Sequence, residues 1–165
     1  MAESALQRAE RIGMSLALRA IRDIRPMQGL PITDQDGVMR HGFSVINRTP
    51  ISRHMANVVL QDHMRQVVES LRPHVADLLR VRPEAASRLK PLYTVAELLG
   101  TAPLLERMEL WQFMLQGDWR SAAAEILACT RPAYMDASPE IRRKVNDVIF
   151  DMVTGISQFA PMDDA

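Results

Sequence analysis

The side chains of this chain that could do chemistry are one thiol, four imidazoles and a short run of cations. Cys129 is the only cysteine, so no intramolecular disulfide can form. A lone thiol is either a nucleophile, which needs an open and cationic setting, or a small apolar side chain. The neighbours Ile126, Leu127 and Ala128 favour a buried, inert thiol. Of His41, His54, His63 and His74, only His54 and His63 share a predicted helix. They stand nine residues apart, and no cysteine or carboxylate sits beside them at ligand spacing. Neither a metal nor another cofactor is expected. Arg142, Arg143 and Lys144 form a cationic run that reads first as a solvated helix face and second as a contact for acidic polymers.

Helices must position most of these residues. From Ala2 to Arg25 apolar residues recur at three- and four-residue steps (Leu6, Ala9, Ile12, Leu16, Ala20, Ile24), which predicts an amphipathic helix ended by Pro26. From Gln28 to Asn47 the pattern changes to glycines, an Asp36-Gly37 turn pair and the β-favouring Phe43, Val45 and Ile46, which predicts a small, irregular β region. Thr49-Pro50 then reads as a cap with proline in the first turn. It opens a long helix whose inward face is Met55, Ala56, Val59, Leu60, Met64, Val67 and Leu71, and Pro73 is expected to close it. Further helices are predicted around Val75 to Val81 and over Pro83 to Gly100, Pro103 to Gly117, Asp118 to Cys129 and Ser138 to Gly155. Trp111, Phe113, Met114 and Trp119 fall on inward faces, and Ala122, Ala123 and Ala124 permit close helix approach, so these residues read as core.

The chain has 165 residues, enough for one domain with a substantial core. Apolar residues make up 47% and charged residues 24%, an ordinary globular balance in which eleven methionines offset a low aromatic share. Formal charge is zero, so no global field favours nucleic acid. Charges spread through the first 25 residues leave no apolar run for a signal peptide or membrane span, and the chain is expected to be made in, and stay in, a cytosol.

Four segments, in order, resemble the phage-type lysozymes, the endolysin family of glycoside hydrolases. GLPITDQDGVMRHGFSVI at Gly29 to Ile46 is similar to that family's β region, and ISRHMANVVLQDHMRQVVESL at Ile51 to Leu71 to the helix that joins its two lobes. LLERMELWQFMLQGDWRSAAAE at Leu104 to Glu125 resembles its C-terminal lobe, and SPEIRRKVNDVIFDMVTG at Ser138 to Gly155 its final basic helix. The resemblance implies a mainly α, α+β, lysozyme-like fold in one domain over residues 1–165. Its parts would be an N-terminal helix with a small β lobe (1–49), a connecting helix (50–72), a helical lobe (73–155) and a tail (156–165).

Glycoside cleavage needs a protonated carboxylic acid and a second group that activates or replaces water. The family's acid is a glutamate directly before a Gly-Leu pair, and here Gln28 precedes Gly29-Leu30. An amide has no proton to donate. The family's aspartate is matched by Asp34, with Asp36 the match under a shifted alignment, and its threonine position falls on Arg40. Glu10 and Asp23 could serve as substitute acids only in a different register. The resemblance therefore implies a catalytically inactive lysozyme-like phage protein, a virion or tail component with a possible glycan-binding cleft. A divergent peptidoglycan hydrolase is the alternative. Its partners would be other phage structural proteins, docked through Ala2 to Arg25 and the C-terminal tail, and peptidoglycan.

Overall fold

A computed structural model describes residues 2–24, 32–33, 39–40 and 53–155. Its first helix, α1 (Ala5–Ile24), begins at a reciprocal cap. The Ser4 hydroxyl accepts from the Gln7 amide at 3.1 Å and the Gln7 side chain accepts from the Ser4 amide at 2.9 Å, which satisfies two donors the first turn would otherwise leave open. Next come β1 (Ile32–Thr33) and β2 (Met39–Arg40), an antiparallel pair with Ile32 opposite Arg40. The remaining elements are helical: α2 (Arg53–Val81), a 3-10 segment (Pro83–Arg88), α3 (Leu89–Leu99), α4 (Ala102–Leu105), α5 (Met108–Gln116), α6 (Trp119–Tyr134) and α7 (Pro139–Thr154).

The expected α+β class is corrected by this architecture. Among the described residues the fold is mainly α, and strand structure is confined to two residues on each side of one ladder. A β lobe needs three or more strands, and the described ladder has two strands of two residues each. Phe43, Val45 and Ile46, which suggested the β region, lie outside the described residues.

The long helix expected before Pro73 is present as α2 from Arg53, but Pro73 does not close it; α2 runs eight residues further, to Val81. Proline inside a helix costs about 3 kcal/mol. The stripe Ala56, Leu60, Met64, Val67 and Leu71 continues past it as Val75 and Leu78, both buried. Burying two such side chains is worth roughly 3 to 6 kcal/mol, enough to carry the helix through. Within the same stripe Met55 is exposed and Val59 only half-buried, against expectation. Pro132 is likewise tolerated inside α6, which extends to Tyr134 and not Cys129. Two further predicted helices are divided: Pro83 to Gly100 into the 3-10 segment and α3, and Pro103 to Gly117 into α4 and α5.

The core is built around α3, where Leu89 and every residue from Pro91 to Leu98 are buried. Such a helix is apolar nearly all round because it has neighbours nearly all round: α1, α2, α4, α6 and α7 pack on it. Gly13 lets α1 approach most closely, since a Cβ there would stand 2.8 Å from Leu89 Cβ. Helix α1 is therefore a core element. Leu6 packs on the core, while Ala9, Ala17, Ile21 and Ile24 are buried in it, so docking through residues 2–25 loses the free apolar stripe on which that expectation rested.

Two arginines fasten helix ends. Arg82 donates to the carbonyls of Leu115 and Gln116 at the end of α5, beside Gly117 in the left-handed conformation. Arg88 donates to those of Met152 and Val153 at the end of α7, with its guanidinium 4.2 Å from the Trp119 ring centroid. Burial pulls the Arg88 guanidinium below its ordinary pKa.

Candidate functional site

Titratable groups enter the helical body mainly at the junction of α1, α2 and α3. Glu10, on the buried side of α1, accepts from Arg72 of α2 through both carboxylate oxygens, at 2.8 and 3.2 Å. This bidentate geometry is the strongest form of arginine–carboxylate pairing, and it raises the Arg72 guanidinium above its ordinary pKa. Near this pair lies Tyr93 of α3, fully buried, its hydroxyl without a hydrogen-bond partner among the described residues. Burial, followed by the negative charge of Glu10, pushes the Tyr93 phenol well above its ordinary value. One turn along α3, the fully buried Glu97 meets His63 of α2, with Nδ1 at 2.7 Å from Oε2. The imidazole is about one-third exposed.

Two cavities among the described residues are lined by charges of both signs. A cleft of about 670 Å³ between α1, α3 and α7 has Ala20, Ile24 and Val148 among its apolar lining. Four of its charged residues form two ion pairs: Lys90 with Asp151 at 2.7 Å, and Lys144 with Asp23 at 3.2 Å. Lys144 also donates to the Asp23 carbonyl at 3.1 Å, which places a cation at the carbonyl end of α1. A smaller hollow of about 280 Å³ is lined by Glu10, Arg11, Arg65, Glu69 and Arg72.

Gln28, Asp34 and Asp36 lie outside the described residues, and Arg40 is placed only by its backbone, in β2 opposite Ile32. Of the substitute acids, Glu10 is held by Arg72 and Asp23 by Lys144. A carboxylate that receives two N–H bonds from a guanidinium is an acceptor and lacks the proton a general acid must give. Cys129 is half-buried, and burial pushes its thiol pKa up, in the direction that suppresses the nucleophilic thiolate. His74, exposed on α2, lies against Trp111 with ring centroids 4.8 Å apart and the rings tilted by 48°. Among the described residues no cluster of three or more histidines, cysteines and carboxylates could hold a metal ion. No described helix is long and apolar enough to cross a membrane.

Sequence reasoning missed the pairs Glu10–Arg72 and His63–Glu97. One signal pointed to the second: Glu97 is the lone acid in LYTVAELL, and a carboxylate in an otherwise apolar helix needs a partner. No family model, curated protein or solved structure matches this chain.

Proposed function

We propose that this chain acts by binding other protein chains and not by catalysis, as a helical structural component of a bacteriophage particle. The observation that carries the reading is the state of the two carboxylates buried in the helical body. Glu10 is spent on Arg72 and Glu97 meets His63, so both serve to lock α1 and α3 onto α2. The phage setting is supported by the ordered resemblance of four segments, and the absence of an acid at Gln28 agrees with a component that has no cleavage to perform. Exposed apolar side chains at the surface, including Met108, Met135 and Phe150, supply the kind of contact such a component needs.

The test is hydrolysis of peptidoglycan by the purified full chain, followed as clearing of permeabilised bacterial cells and as release of muropeptides. Neither is expected. Clear activity that disappears in Glu10→Gln or Asp34→Asn would overturn the reading and identify the acid.

A further inference from the structure

Helices α6 and α7 leave a groove of about 360 Å³ between them, on the side of α7 turned away from the charged cleft. Leu127, Tyr134, Met135 and Val145 give it an apolar lining, and Arg131, Arg142 and Asn146 stand along it. Two of the most exposed large apolar side chains of the described residues belong to this region. Met135, 65% exposed, lines the groove, and Phe150, 60% exposed, lies one turn beyond Asn146 on α7. Neither Arg131 nor Arg142 forms an ion pair among the described residues, although Arg72, Lys90, Arg107 and Lys144 all do. An apolar trough flanked by guanidinium groups that have no ion-pair partner among the described residues fits a segment in which large apolar anchors are followed by carboxylates.

The chain contains such a segment. Residues 156–165 read ISQFAPMDDA, with Phe159 and Met162 three apart and Asp163 and Asp164 directly after them. We propose that the α6–α7 groove receives residues 156–165 of a second copy of this chain. Phe159 and Met162 would enter the apolar lining, and Asp163 and Asp164 would meet Arg131 and Arg142. The inference rests on the binding reading given above and names the partner.

Geometry favours a second copy over the same chain. Gly155 lines the charged cleft together with Lys144, Asp147, Val148 and Asp151, whereas Arg142, Val145 and Asn146 line the groove. At about 100° per residue these two sets lie on opposite faces of α7. A segment leaving Gly155 must travel about 16 Å back along the helix and half-way round a body roughly 10–12 Å across, a path of about 25 Å. Four residues span at most about 14 Å and seven about 25 Å. The same chain could therefore bring Met162 and the aspartates to its own groove, but not Phe159. A second copy has no such tether and can seat both anchors. Such a contact closes as a two-fold dimer when two copies exchange tails reciprocally, and otherwise continues from copy to copy into a ring or a filament.

Sedimentation velocity of the full chain across a wide concentration range tests the proposal, with a thermal melt of every variant. The expected result is concentration-dependent association that weakens with added salt. Arg131→Glu with Arg142→Glu should move its midpoint to a concentration about tenfold higher or more, and Asp163→Arg with Asp164→Arg should do the same. All four substitutions together should restore the original midpoint, because the charges are then exchanged and complementary again. If the arginine pair fails to fold, the aspartate pair decides alone. A chain that stays monomeric, or association indifferent to the reversals, overturns the proposal, whether the groove is then empty, filled by the same chain or reserved for another protein. Hydrolysis of peptidoglycan would sink the non-catalytic reading whatever the association state, while a monomer without hydrolysis sinks this inference only.

Discussion

Replacing Gly13 by alanine sets two effects of opposite sign against each other. Alanine is favoured over glycine in a helix interior by about 0.8–1.0 kcal/mol, so at a free position the change would stabilise the protein. At Gly13 the new Cβ would lie 2.8 Å from Leu89 Cβ and 3.1 Å from Tyr93 Cε2. Leu89 Cβ is fixed to the α3 backbone and cannot swing aside, so the two helices must move apart by several tenths of an ångström. That loosens the contacts of Ala9, Ala17 and Ile21, all buried in the same core. Overpacking of this kind costs about 1–3 kcal/mol. Net destabilisation of up to about 2 kcal/mol follows, which for a chain of this size lowers Tm by as much as roughly 4–8 °C. Urea and thermal melts followed by circular dichroism measure it, with Ser15→Ala on the exposed side of α1 as the reference for helix propensity alone. A Gly13→Ala protein more stable than wild type by the full propensity gain would refute the close packing of α1 on α3.

The buried polar junction supports two further predictions. Tyr93→Phe removes a buried hydroxyl that has no partner among the described residues, so it should leave stability unchanged or raise it by about 1 kcal/mol. The sign of the pH effect follows from the same residue: its phenol titrates higher folded than unfolded, so its contribution is complete below the unfolded value, about 10, and is lost as pH rises beyond that. Chemical denaturation at a series of alkaline pH values should show this decline in wild type and a smaller one in Tyr93→Phe. Arg72→Met should destabilise by about 1–2 kcal/mol, below the cost of breaking a fully buried pair, because Arg72 is about half exposed. A melt indistinguishable from wild type would show that the pair is not what fixes α1 to α2.

Local signals in the sequence located most of the helices, since three- and four-residue apolar spacing survives any tertiary context. The capping residues Asp118 and Ser138 accept from the amides of Ser121 and Ile141 at the starts of α6 and α7, where they were expected, and Gly117 and Gly155 follow the ends of α5 and α7. The candidate site was far less legible. Glu10 was weighed only as a displaced catalytic acid, because its partner stands 62 residues away on α2 and nothing local announces it. His63 and Glu97 are 34 residues apart, and only the isolation of Glu97 among apolar neighbours hinted that it needed a counter-charge.

What the sequence by itself determined is the helical character of α1, of the body of α2, and of α6 and α7, together with the core stripes along them. Those follow from backbone geometry and side-chain periodicity within a few turns. Tertiary structure alone decided that α2 runs through Pro73, because the gain that offsets the broken turn comes from burying Val75 and Leu78 against other elements. It alone decided that the apolar stripe of α1 packs into this chain's own core, because a helix shows its apolar stripe in sequence but not what covers it. It also decided the ion pairs, since a carboxylate becomes proton donor or structural acceptor according to the group that folding brings beside it, and folding brought Arg72 to Glu10.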